Sequence, residues 1–148
     1  MSIALLTNLQ DDASRKFAEE FSRACGDLRI NDHVIFYTDT YDESIDCDTS
    51  VIDSYGLWAF SGTLIFTSMV EITKFLNITS DIKFAYYPDL DNQYDPIRCL
   101  YYREKYQVHC IDDAVNSKVC RTLGNNIKVK KHENINKMLE DLAWILKK

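Results

Sequence analysis

The sequence predicts an open, mostly parallel α/β sheet with helices on both faces, and three observations lead there. Short apolar runs of strand length alternate with stretches of helical spacing along the 148 residues. The segment from Tyr55 to Asp91 contains a strand, a capped helix and a second strand within about 25 residues, which is the crossover unit of a parallel sheet. Two prolines and four glycines leave little room for a turn-rich all-β chain.

In order, Ile3 to Thr7 reads as a fully buried first strand, and Asn8 to Asp12 as a turn whose acids cap the next helix. Phe17, Phe21, Ala24 and Cys25 give that helix an apolar face, and Gly26 closes it. His33 to Thr38 is the second strand. Asp39 to Ser50, with five acids and almost no apolar anchor, reads as an exposed loop. Val51-Ile52-Asp53 is a weak third strand, followed through Tyr55, Trp58 and Phe60 by the strand Leu64 to Thr67, bounded by Ser61-Gly62. Ser68-Met69-Val70-Glu71 has capping-box spacing and starts a helix that places Ile72, Phe75 and Leu76 on one face. After a break at Asn77 to Ser80, Ile82 to Tyr87 is the next strand. Asp95-Pro96 opens a short helix with a cap and a proline at its first position. Tyr106 to Ile111 is a strand, Asp112 and Asp113 cap a helix ended by Gly124, and Ile127 to Lys131 is a last, half-exposed strand. Asn134 to Lys147 forms a terminal helix whose apolar face must pack on the sheet. No repeat or linker divides the chain, so residues 1–148 are read as a single domain.

Composition narrows the function classes. With 46% apolar and 12% aromatic residues, the chain can bury roughly two-thirds of its unfolded surface without a staple. Its net charge of −6 argues against a broad nucleic-acid footprint or an anionic membrane surface. Five scattered cysteines with no C-x-x-C pair suggest neither a disulfide framework nor zinc, and are read as reduced residues of a cytoplasmic protein. The first residues are apolar too briefly for a leader or a membrane span.

In an open α/β sheet, ligands bind beyond the carboxyl ends of the strands, near a reversal of strand order. The residues just past the strands are Asn8, Asp39 and Thr40, Asp53 and Ser54, Thr67 and Ser68, Asp89 and Asp91, and Asp112 and Asp113. Asp11, Ser68, Asp95 and Asp112 also suit plain helix capping. The first βα turn lacks glycine, so the dinucleotide fingerprint is absent, and there is no P-loop, G-x-S-x-G or H-E-x-x-H string. His33, His109 and His132 are scattered and read as surface or strand residues. Asp89-Leu90-Asp91 is a pair suited to a divalent ion bridging phosphates, but Asp46-Cys47-Asp48 is another such pair in a loop, calcium-loop spacing fails at Tyr94 and Leu100, and no metal site or other cofactor is assigned.

Three stretches carry a resemblance: Ile3-Ala4-Leu5-Leu6-Thr7-Asn8, Trp58 through Ser68, and Phe84-Ala85-Tyr86-Tyr87-Pro88-Asp89-Leu90-Asp91. Together they resemble small glycosyltransferase-like proteins encoded by tailed phages, which are similar to one Rossmann-like half of a GT-B glycosyltransferase. Trp58, Gly62, Thr63, Ile65, Thr67 and Ser68 match that pattern, with Phe66 in place of a small residue. In the later string only Asp89 and Leu90 match; Pro88, Asp91 and Asn92 replace a tryptophan, a glutamate and an aromatic. The resemblance implies a protein of the host cytoplasm that binds a nucleotide sugar and transfers the sugar to an acceptor hydroxyl. Asp89 or Asp91 would be the catalytic base, and Asn8, Ser61, Gly62, Thr63, Thr67, Ser68 and Asp112 the ligand-binding residues. Such enzymes close two domains around their ligands, so a homo-oligomer or a partner protein is expected. Two other classes compete: a non-catalytic phage accessory or interaction protein that keeps the fold, and a phospho-acceptor domain centred on Asp53. The second lacks the lysine it needs after Tyr87.

Overall fold

The computed structural model describes residues 2–9, 11–30, 34–38, 50–77, 81–124 and 129–143. The polar stretch 39–49, His33 and Cys47 lie outside the described residues, as does the end of the terminal helix.

The strands are β1 (Ser2–Leu6), β2 (Val34–Thr38), β3 (Ser50–Asp53), β4 (Gly62–Phe66), β5 (Ile82–Tyr86), β6 (Tyr106–Cys110) and β7 (Val129–Lys131). The helices are α1 (Asp12–Asp27), α2 (Met69–Ile72), α3 (Pro96–Tyr101), α4 (Asp113–Leu123) and α5 (Ile135–Ala143). The described residues form one seven-stranded sheet in the order β3-β2-β1-β4-β5-β6-β7, and every pairing is parallel. This is the α/β architecture expected from the sequence. The chain winds outward from β1 in one direction and from β4 in the other, so the strand order reverses between them.

Side-chain alternation sorts the two faces. Ile3, Leu5, Phe36, Ile65 and Ala85 face α1 and α5, where Phe17, Phe21, Met138 and Leu139 cover them. Ala4, Leu6, Leu64, Phe66, Tyr86, Val108 and Cys110 face the other way, against Met69, Ile72, Cys99, Val119 and Leu123 of α2, α3 and α4. Aromatic rings fill the second core. Phe66 stacks on Tyr86 with centroids 5.0 Å apart, and the Tyr106 hydroxyl donates to the Cys99 carbonyl at 2.5 Å. Burial pushes the thiol pKa values of Cys25, Cys99 and Cys110 up to about 12, 11 and 12 respectively. Cys120 is exposed.

The structure differs from expectation at two elements. The helix after Ser68 keeps α geometry only through Ile72, then tightens to a 3-10 turn over Thr73–Phe75. The Thr73 hydroxyl donates back to the Met69 carbonyl at 2.8 Å, a contact that bends helices. Ser54–Ala59 winds into a 3-10 turn capped by Asp53, which buries Leu57 but leaves Tyr55 73% and Trp58 58% exposed. The terminal strand is described from Val129, with 127 and 128 outside the described residues.

Candidate functional site

The carboxyl edge of the sheet gathers Asn8, Thr67, Ser68, Asp89, Asp91 and Asp112, because each follows directly on β1, β4, β5 or β6. Ser61, Gly62 and Thr63 are not brought to them, since Gly62 and Thr63 open β4 and Ser61 precedes it. At about 3.3 Å per residue, they lie on the order of 13 Å from Thr67. Gly62 has a structural reason to be there. Its φ is +139°, and a Cβ would sit 2.1 Å from the Ser2 carbonyl oxygen, so only glycine lets β4 begin beside β1.

Asp91 ties three segments together. Its Oδ2 accepts from the Tyr86 hydroxyl at 2.5 Å and from the Met69 backbone N–H at 3.1 Å, while Oδ1 accepts from Gln93 N–H. Burial and the Asp91 charge raise the pKa of Tyr86 far above the ordinary phenol range, so the hydroxyl stays a donor. The first amide of α2 is therefore met by a carboxylate, and Ser68 caps the same short helix through Glu71 N–H. α4 is closed likewise, with Asp112 Oδ1 accepting from Ala114 and Val115 N–H. Both helix starts are occupied by the chain's own acceptors.

Asp89 is engaged on one side only. Its Oδ2 accepts from the backbone N–H groups of Ile111 and Asp112, at 2.9 and 3.1 Å, fixing the end of β6 to the end of β5. Oδ1 is buried with no hydrogen-bond partner among the described residues. Burial raises the Asp89 pKa, the two backbone donors and the neighbouring Tyr87 hydroxyl work against it, and Asp112 adds to it. The two acids that the sequence could not rank thus differ. Every Asp91 oxygen is spent on structure, whereas Asp89 retains one unused oxygen and a reason to hold a proton more tightly.

A cavity of about 1050 Å³ forms an open groove between α1 and the start of α5. It reaches the carboxyl edge at Tyr87, Leu90 and Ile111, just past β5 and β6, and its charged lining is Lys16, Glu20, Arg23 and Asp27 from α1 with Glu133 ahead of α5. Phe17 stacks on Tyr87 at 4.7 Å to form part of its wall. Sequence reasoning missed this groove: Lys16, Glu20 and Arg23 sit on the polar side of an ordinary amphipathic helix, and only the placement of α5 makes them a wall. It also missed Thr7, whose hydroxyl is buried at the end of β1 without a hydrogen-bond partner among the described residues. The histidine reading missed a pair: His109 and His132 are both buried, 3.0 Å apart from Nδ1 to Nε2. No motif signals that contact, since 23 residues separate them. Among the described residues no group of three or more His, Cys, Asp or Glu is placed to hold a metal ion, and no helix is long and apolar enough to cross a membrane.

No family model, no curated protein and no solved structure matches the chain, so what is established is an all-parallel, doubly wound α/β sheet with an open groove at its carboxyl edge.

Proposed function

We propose that this protein binds a nucleotide sugar at the carboxyl edge of its sheet and supplies the donor half of a glycosyltransferase-like assembly. The observation that carries the reading is the α1–α5 groove, which opens where β5 and β6 end and has the size expected for a ligand of that class. Helix starts α2 and α4 are filled by Asp91, Ser68 and Asp112, so the diphosphate charge falls to Lys16 and Arg23. Glu20 is the acceptor for sugar or ribose hydroxyls. Asp89 is the base that takes the acceptor's proton; its Oδ1 is buried behind the groove wall at Tyr87 and Leu90, so the role requires docking of the acceptor side to uncover it. A second subunit brings the acceptor side, as the resemblance to half of a GT-B enzyme implies.

Thermal unfolding against a panel of nucleoside diphosphate sugars, with and without magnesium or manganese, tests this. A ligand at about 100 times its Kd adds roughly 2.7 kcal/mol, which raises the midpoint by on the order of 5 to 10 °C. The expected result is a base-selective shift that Lys16→Ala with Arg23→Ala abolishes. No shift with any member overturns the reading. It would favour the second one, an interaction protein, which the exposed rings of Tyr55 and Trp58 support. A stable complex or homodimer in sedimentation, weakened by Trp58→Ser and formed by a protein that binds no nucleotide sugar, is that reading's signature.

A further inference from the structure

A second cavity, of about 460 Å³, lies on the α5 side of the sheet toward the amino ends of β4, β5 and β6. Thr63, Lys83, Gln107 and His109 line it from successive strands, with Lys105 and Lys130 beside them. Three ammonium groups face one carboxylate, that of Glu104, so the lining is net positive. His109 is 2% exposed, and its Nε2 is buried with no hydrogen-bond partner among the described residues.

The protonation pattern of that nitrogen follows from its neighbours. Asp141 Oδ2 lies 3.3 Å from His132 Nδ1, so with Asp141 ionised the proton of neutral His132 sits on Nδ1 and its Nε2 is a lone pair. His109 Nδ1, 3.0 Å from that lone pair, must then carry the second proton and donate. Neutral His109 is left with a lone pair on Nε2, an acceptor with no donor. Burial keeps His109 neutral, with Lys130, and His132 whenever it is protonated, acting in the same sense and Asp141 against it.

We propose that this cavity is a site for a protonated phosphate group, either hydrogen phosphate or a phosphate monoester. Its P–O–H donates to His109 Nε2, and its remaining oxygens face Lys83, Lys105 and Lys130. A fully ionised anion of the same shape satisfies the lysines but brings no proton for the nitrogen. The site is separate from the carboxyl-edge groove and does not rest on the nucleotide-sugar reading.

Side-chain nitrogen NMR of the full-length protein labelled at histidine tests the proposal, near pH 6, where phosphate retains a proton. Inorganic phosphate, glycerol phosphate and sulfate are titrated at matched ionic strength. The expected result is a His109 Nε2 that is unprotonated in the free protein and moves saturably with phosphate or its ester but not with sulfate. Tighter binding of the ester assigns an organic ligand, and equal binding the free anion. Lys83→Gln with Lys130→Gln should weaken binding at least about tenfold while Nε2 stays unprotonated. A protonated Nε2 in the free protein, an equal response to sulfate, or no response to either phosphate overturns it.

Discussion

Asp91 shows how one side chain can be mistaken for a catalyst. Its spacing from Asp89 and its place after a strand suit a base, yet its oxygens accept from Tyr86, Met69 and Gln93. Asp91→Ala should leave the buried Tyr86 hydroxyl and the first amide of α2 without acceptors and cost about 2 to 4 kcal/mol. Urea unfolding measures this, and a change below about 0.5 kcal/mol would mean that those bonds are dispensable. His109 predicts a pH dependence. Its folded pKa is lowered from 6.5 to about 4, chiefly by burial, so between those values the unfolded chain takes up a proton that the fold refuses. Stability from this group is complete above about pH 6.5, declines as the pH falls, and is lost once the pH passes below about 4, a change of up to roughly 3 kcal/mol. His132 is lowered in the same direction, while Asp89, whose pKa is raised, acts with the opposite sign. Unfolding midpoints between pH 7 and 4 should fall for the native protein and flatten for His109→Leu. None of these partnerships was legible in the sequence, because each joins residues from different strands or loops, and residue type alone does not say which atoms meet.

At the scale of the element, far more was readable. Asp11, Asp95 and Asp112 cap α1, α3 and α4 with their side chains, as their positions before each apolar face predict, and Gly124 follows α4 with φ +72°. Asp112→Ala should cost about 1 kcal/mol, seen as a lower thermal midpoint. Gly62 was legible as a boundary and as part of a resemblance to a ligand loop, but its φ and its approach to Ser2 were not. Gly62→Ala places a methyl into backbone that cannot move without breaking the β1–β4 register. The expected outcome is loss of soluble folded protein, whereas Ser61→Ala, one residue earlier and exposed, should fold normally. The helix after Ser68 fell short because pattern counts apolar positions and does not see Thr73 turning its hydroxyl onto Met69.

For the molecule as a whole, alternation of strand and helix was enough to give the class, since a chain that buries strands on both faces has few other ways to connect them. The position of the cavities was not readable, because the groove depends on where α5 docks after the last strand. The layered order also predicts a gradient of protection. β1, β4 and β5 have a strand on each side and helices over both faces, so their amides should exchange only on global unfolding. β3 and β7, at the two edges, should exchange by local opening, orders of magnitude sooner. Uniform exchange across the sheet would contradict this.

The burial of Cys25, Cys99 and Cys110 beside the exposed Cys120 gives the protein an internal clock. A thiol reagent at neutral pH meets one accessible sulfur among the four described and three whose thiolates are suppressed by the fold. Cys120 should therefore be modified before the other three, which react only as fast as the chain opens. The lag between the Cys120 adduct and those at Cys25, Cys99 and Cys110, read by peptide mass spectrometry, times how long one molecule keeps its two cores closed.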